Sequence, residues 1–566
     1  MKRAFRYDGE EMDQQIAAFV GTSSHGSRRM SRNGNRSTCS SVSRYVKQHQ
    51  NRLVTENGAF GYRTTMHPLA DLNFMVSSLR GRDGEFIVKK FVQAYYQSPK
   101  YAVKWLFYLR DIAEGLGERR TFRICLKYLA DSHPEMAKAV IELIPEYGRF
   151  DDLLVLLDTE LREETGRFLK AQLDRDLAAR KENRPVSLLA KWLPSTNTSS
   201  RETRARAQML ADQFGMKTSE YRKHLSALRA CEHVTEVYMS SSRWSEIDYE
   251  KVPAKANLNY DAAFAKHDRE RRSAWLRKVF LGESRLNGKG IMPYEVVHRF
   301  WKNGYGGCAL KDDLLAELMW KQILEDGFVN DWGIDDCIVV ADGSGSMYAN
   351  AGGSTSVRAI EICNALAIYF AEQLNGPFHN KAITFSSRPQ FIDLDRGTSL
   401  KEKLEIMLSH NEFANTNIEA VFDLLLDLAV SHEVPTDEIP RQVLIISDME
   451  FDEANALPVW TGRSMKTNRF TPALFETIEN RYHQAGYPMP RLIFWNVCGR
   501  TDTIPKVENG QGICLLSGFS QNAMKIAADR SKKDPYESLI QVLDGERYAR
   551  VERAIEGVMS RERLVE

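Results

Sequence analysis

The chain has 566 residues, too many for one ordinary core, with 43% hydrophobic and 27% charged residues, which excludes wholesale disorder. No stretch approaches the ~18 consecutive apolar residues of a membrane helix, so no membrane is expected as a partner. The net charge of +1 hides a division: residues 331–566 hold 23 Lys and Arg against 34 Asp and Glu, a balance of −11, which leaves +12 for residues 1–330.

Opposite signs imply either separate partners, with a polyanion for the first half, or mutual attraction of the two halves. The eight cysteines are scattered and form no CxxC pair. That argues against a disulfide framework or a zinc ribbon and fits a reducing cytosol. The N-terminal MKRAFRYDGEEMDQQ carries no apolar secretory core, so a cytoplasmic location is expected. Cys337 in DDCIVV and Cys498 in LIFWNVC read as buried thiols.

Residues 21–50, rich in Ser, Gly, Asn and Arg, contain six basic residues and no acidic one. Such a segment buries too little apolar surface to order itself, so residues 1–50 read as a flexible basic arm. From about Glu85 to Leu324 apolar residues recur at i, i+3, i+4 and i+7, the mark of helix after helix. Ser98-Pro99, Gly115, Gly117, Ser132-His133-Pro134, Pro145 and Gly148 punctuate the run. Antiparallel pairs without a strict period predict an irregular HEAT-like array over residues 51–330. Tyr95, Tyr96, Tyr101, Trp105, Phe107 and Tyr108 fall at helical spacing and read as core rather than as base-stacking platforms.

After Asp335 the period changes. CIVVA (337–341), AITF (382–385), FIDL (391–394), QVLIIS (442–447), RLIFWNVC (491–498) and GICLLS (512–517) are short apolar runs. Helical patterns at 356–374, 417–431 and 471–484 alternate with them, and helices are expected from Phe519 to the end. This βαβα alternation predicts a doubly wound α/β domain over residues 331–566, with ligands at the carboxyl ends of its strands. The last helix, from Asp534 on, has the option of packing back on the first half.

At the end of the first of these strands stands Asp342-Gly343-Ser344-Gly345-Ser346. One carboxylate and two hydroxyls on a tight turn are hard oxygen donors, suited to Mg²⁺ or Mn²⁺. Thr416 and Asp448 follow later strand-end positions and belong on the same sheet edge. The pattern D-x-S-x-S, then Thr, then Asp resembles the metal-ion-dependent adhesion site of von Willebrand factor A (vWA) domains. The resemblance implies direct coordination by Ser344, Ser346 and Thr416, with Asp342 and Asp448 acting through bound waters. The last position would accept water or an acidic group of a protein partner. Asn417 stands where many relatives carry Asp.

The segments HPLADLNF, LRDIAEGLGERRTF, IPEYGRFDDLL, SLLAKWLP, YRKHLSALR, ISDMEFDEA, FWNV and LLSGFS resemble an uncharacterised family that joins helical repeats to a vWA domain. That family is similar to the TROVE module of the Ro autoantigen, a helical-repeat ring closed by a vWA domain. The resemblance implies an RNA-binding scaffold of a ribonucleoprotein, with single-stranded RNA ends in the ring and a small noncoding RNA outside. The sequence adds cation clusters to which phosphates are drawn: Arg119, Arg120 and Arg123; Lys191; Arg201, Arg204 and Arg206; Arg222, Lys223 and His224. The alternative is an RNA-independent adaptor whose metal binds a partner carboxylate.

No Walker loop, GxGxxG after a strand, HExxH or nucleophile elbow is present, and no enzyme is expected. A metal-dependent nuclease would need Asp342, Asp448 and Asp452 or Glu453 around one ion, and a hydroxyl-dominated site grips metals poorly for that chemistry. His379, His410, His432 and His483 lack ligand spacing.

Overall fold

The computed structural model describes residues 51–54, 60–231, 234–288, 290–301, 310–326, 337–352, 356–374, 376–386, 388–411, 417–449, 472–498, 504, 513–528, 531 and 534–565. The expected basic arm lies outside the described residues, as do Thr416, Asp452 and Glu453. The first half begins with an antiparallel ribbon the sequence reading did not include, β1 (Arg52–Val54) with β2 (Phe60–Tyr62). Its helices of seven residues or more are α1 (Pro68–Phe74), α2 (Gly84–Gln97), α3 (Pro99–Arg110), α4 (Arg120–Ser132), α5 (Pro134–Val140), α6 (Arg162–Lys181), α7 (Arg201–Gln213), α8 (Thr218–Cys231), α9 (Ala254–His267), α10 (Arg269–Phe280) and α11 (Leu314–Glu325).

Local chemistry sets these boundaries. Asp83 caps α2 by accepting from the Phe86 N–H, and Ser98 both ends α2 and caps α3, with Pro99 at its first turn. Pro134 opens α5 directly after α4. Helix α3 is buried on almost every side, which makes it a central rod rather than an amphipathic surface helix. Tyr95, Trp105, Phe107 and Tyr108 are core, as their spacing predicts, while Tyr96 is exposed. Truncating any of the large buried rings to Ala would cost about 3–5 kcal/mol. The run FDDLLVLLD, expected as α-helix, is a 3₁₀ helix over Phe150–Asp158, its start held by Asp152 accepting from the Arg149 N–H at 3.0 Å.

The second half holds six strands: β3 (Cys337–Asp342), β4 (Lys381–Phe385), β5 (Phe391–Asp393), β6 (Gln442–Ser447), β7 (Arg491–Asn496) and β8 (Ile513–Ser517). They form one sheet in the order β5-β4-β3-β6-β7-β8, parallel except for β5, which runs antiparallel to β4. Every residue of β3, β6, β7 and β8 is buried, the reason their sequences read as unbroken apolar runs. Helices α12 (Ala359–Gln373), α13 (Leu400–Ser409), α14 (Ile418–Ser431), α15 (Pro472–Gln484), α16 (Pro535–Leu543) and α17 (Glu546–Val565) accompany it. Helix α13 was not foreseen, although Ser399 and Glu402 form a capping box at its start.

The helical half is fastened to the sheet half at both of its ends. Near its start, the Ser77 N–H donates to Ser517 Oγ and the Ser77 hydroxyl to Asn496 Oδ1, each at 3.0 Å, over the carboxyl ends of β8 and β7. Asn522 Nδ2 reaches the Ala113 and Gly115 carbonyls at 3.2 Å. Helix α17 packs back on α3 and α5, so the last helix belongs structurally to the helical half. Near its end, α11 lies on α12, with Trp320 Nε1 donating to Glu372 at 2.7 Å. Glu317 accepts the Leu400 and Lys401 N–H groups at the start of α13. Helices α6 to α10 span between these anchorages: α6 packs on the 3₁₀ helix Phe150–Asp158 and on α7 and α8, α9 on α10, and α10 on α11. Among the described residues no helix is long and apolar enough to cross a membrane.

Candidate metal centre and cation clusters

Asp342 ends β3 and Asp448 directly follows β6. The two strands are parallel neighbours with Ala341 paired to Ile446, so both carboxylates reach the same sheet edge, as the sequence predicts. Both are fully buried. Asp342 Oδ2 accepts from the Ser447 hydroxyl at 2.6 Å and its Oδ1 from the Ser344 N–H at 2.9 Å. The Ser344 and Ser346 hydroxyls stand 3.0 Å apart in the turn beyond, half-buried rather than enclosed. Burial, and next the charge of Asp448, push the Asp342 carboxyl up to about 7, against the hydrogen bonds from Ser447 and Ser344.

Two buried carboxylates side by side, opposite paired hydroxyls, make an oxygen-only donor set that fits a hard divalent cation. Gly343 is close-set as well: a Cβ there would lie 2.5 Å from Asn411 Oδ1. Met449 closes the other loop with φ +64°, a left-handed conformation, its N–H donating to Ser447 Oγ at 3.0 Å. Asn417, beside the Thr416 position, caps α14 by accepting from the Ala420 N–H at 3.2 Å. Ser447, Asn411 and Met449 were not singled out from the sequence; only the hydroxyl directly before Asp448 gave a signal. Among the described residues no cluster of three His, Cys, Asp or Glu side chains stands ready for a metal. His379 and His410 are each held by a backbone carbonyl, of Leu374 and Ile406, at 2.8 Å. Cys337 and Cys498 are buried thiols in no disulfide, as expected.

The cations singled out from the sequence separate into two groups. Arg120 donates to the carbonyls of Leu79, Arg80 and Arg82, tying α4 to the chain before α2. Arg123 binds Asp151 and Asp152, both at 2.7 Å. Arg204 reaches the Thr198 and Ser199 carbonyls, Arg206 pairs with Asp158 and Glu202, and His224 lies 3.6 Å from Glu220. These five have partners within the fold. Arg119, Arg201, Arg222 and Lys223 are exposed and make no ion pair among the described residues. Lys191 lies 5.6 Å from the ring centre of Trp192.

Arg149 was not singled out from the sequence. Its guanidinium covers the Trp192 ring at 4.2 Å, and among the described residues it makes no ion pair. Burial first, then the charge of Arg110, hold its pKa below the ordinary value, against the opposing charges of Asp151 and Asp152 and with Arg119 acting in the same direction as Arg110. Arg110 itself is buried and pairs with Asp152 at 2.7 Å. Gly148 precedes Arg149 because a Cβ there would stand 2.6 Å from Asp152 Oδ2 and 2.9 Å from Arg110 Nε.

Residues 336–561 match the model of a domain of unknown function, DUF7788, and residues 55–165 and 159–326 match that of another, DUF2828. The two matches meet where the described structure passes from α11 to β3. An uncharacterized protein of Acanthamoeba polyphaga mimivirus is 26% identical over 530 residues, 87% of either chain. Among solved structures, that of the Deinococcus radiodurans RO (RSR) protein is similar at 13% identity with a TM-score of 0.45, over 81% of this chain and 99% of that one.

Proposed function

We propose that the chain is an RNA-binding scaffold of a ribonucleoprotein, in which a basic helical arc closed by a vWA-type domain takes up structured RNA and single-stranded RNA ends. The observation that carries this reading is charge left unneutralised within the arc. Residues 51–330 hold 45 Lys and Arg against 38 Asp and Glu, an excess of +7, and Arg119, Arg201, Arg222 and Lys223 are exposed without an ion pair among the described residues. A protein that needed its cations only for internal ion pairs would not leave them so; release of counterions by a polyanion accounts for them.

In this reading Asp342, Ser344, Ser346 and Asp448, with Thr416, hold Mg²⁺ or Mn²⁺. The ion would supply charge compensation to the two buried carboxylates and a position open to an outside ligand. No catalytic step is assigned to it. The half-buried Ser344–Ser346 pair favours one second reading, an adaptor whose ion binds the carboxylate of a protein partner without RNA.

Purification from the native source followed by sequencing of the co-purified nucleic acid separates these. Discrete small RNAs, released as salt is raised, are the expected result. Protein free of nucleic acid at low salt, with a partner lost on chelation, would establish the adaptor instead.

A further inference from the structure

The turn that carries Lys191 and Trp192 is fixed from several sides. Asp176, almost fully buried, accepts from the Ser187 N–H at 3.0 Å and the Ser187 hydroxyl at 2.6 Å, just before the turn. Beyond it, Arg229 from α8 donates to the carbonyls of Ala190 and Leu193 and to Ser195 Oγ, and Tyr221 donates to the Pro194 carbonyl at 3.0 Å. Arg149 is fixed as well, through its backbone N–H on Asp152 and its plane on Trp192.

Arg110 pairs with Asp152, and Arg123 with Asp151 and Asp152. Arg119, Arg149 and Lys191 make no ion pair among the described residues, and the two aspartates act on Arg149 only from beyond ion-pair distance; all three cations stand on elements too well held to swing apart. Like charges collected at a rigid place are costly without an anion. An arginine with one face on an indole still offers its other face, and a guanidinium plane accepts a nucleobase as an aromatic ring does.

We infer that Arg149, Trp192, Lys191 and Arg119 form a subsite for one unpaired nucleotide of a single-stranded RNA, the base stacked on the outer face of Arg149 and the adjoining phosphates held by Lys191 and Arg119. The subsite rests on the RNA-binding reading and specifies where a strand is read as unpaired. It does not select sequence, because every base has a face to stack. A duplex keeps its bases stacked on each other and offers only phosphates.

The test is fluorescence anisotropy of the full chain with a labelled 12-nucleotide single-stranded RNA and with a duplex of the same sequence. Arg149→Lys keeps the charge and removes the plane. It is expected to weaken the single strand about ten-fold, the scale of one lost stacking contact, and to leave duplex binding and the salt slope unchanged. Lys191→Ala, at a half-exposed position, is expected to lower the salt slope by about one. If the chain binds the single strand and both variants bind it as the parent does, the subsite is wrong and the RNA reading survives. If the parent chain binds neither RNA at low salt, both fall.

Discussion

Arg547 grips Asp111 through two parallel hydrogen bonds of 2.8 and 2.9 Å, one from Nε and one from a terminal nitrogen. The aspartate is fully buried at the end of α3, and the arginine comes from the first turn of α17, more than four hundred residues later. Tyr548 adds a third donor to Asp111 at 3.2 Å, and the Tyr147 hydroxyl donates to the Arg547 carbonyl at 2.6 Å. This is where the end of the chain is tied to the helical half.

The consequence differs sharply from that of a neighbouring ion pair. Arg547→Ala leaves a buried carboxylate with only the Tyr548 hydroxyl and the Ala113 N–H, and is expected to cost about 3 kcal/mol. Lys104 is also fully buried, but its partners Asp544 and Glu552 are 43% and 26% exposed. Lys104→Met fills the buried space with an apolar chain and lets both acids return to water, so about 1 kcal/mol is expected. Urea denaturation of the two variants checks the order; equal losses would mean that Asp111 is better hydrated than its burial implies.

The same helix gives the chain an acid-sensitive fastening. Hydrogen bonds from Lys100 and then Lys104 hold the Glu552 carboxyl below its ordinary value of 4.5. Its contribution is therefore complete above that value and drains away as pH falls through the lower folded value. Since Glu552 is partly exposed, the effect is small. Glu552→Gln is expected to flatten the fall in denaturation midpoint between pH 5 and pH 3. An unchanged slope would show that other carboxylates carry the acid response.

The arginines divide by what removing them should do. Arg119→Ala removes a solvated cation and is expected to leave the unfolding midpoint within about 0.5 kcal/mol of the parent. In the RNA-binding reading it lowers the salt slope by about one. Arg123→Ala takes from the buried Asp152 one of its two arginine partners, leaving Arg110, and removes the ion pair of Asp151; it is expected to cost about 1 kcal/mol, with any loss of RNA binding secondary to stability. Paired melting and binding measurements on the two variants decide; Arg119→Ala unfolding first would place that side chain in the fold rather than at its surface.

That division was not legible in the sequence, for a physical reason. A cluster such as Arg119-Arg120-Arg123 announces positive charge, but whether each cation is free depends on groups that arrive from elsewhere in the chain: the Leu79, Arg80 and Arg82 carbonyls for Arg120, Asp151 and Asp152 for Arg123. Arg149 was overlooked for the converse reason. It sits beside two aspartates in sequence, yet Arg110 and Arg123 claim both. The strands were legible because a strand buried on both faces must be apolar at every position, and Asp342 and Asp448 stood out because they interrupt that run at its end. Ser447 and Asn411 reach the Asp342 turn only after β6 pairs with β3 and Asn411, just past α13, comes to lie against Gly343.

The metal reading makes a prediction that separates the ligands from the fold. Mg²⁺ binds only the folded chain, so at a hundred-fold excess over its dissociation constant it is expected to add about 2.7 kcal/mol to stability. Asp448→Ala removes one of two buried carboxylates and is expected to abolish that gain. Gly343→Ala is expected to reduce it without touching those side chains, because its Cβ would stand 2.5 Å from Asn411 Oδ1 and 3.1 Å from the Asn411 Cα, so that Asn411 or the turn bearing Ser344 and Ser346 gives way. Without Mg²⁺, Asp448→Ala should be no less stable than the parent, since it relieves the repulsion that burial imposes on Asp342. Calorimetric unfolding with and without Mg²⁺ reads all six states. An equal Mg²⁺ gain in the parent and in Asp448→Ala would put the ion elsewhere. A large loss in Asp448→Ala without any ion would make the aspartate a structural residue whose burial serves the sheet edge itself.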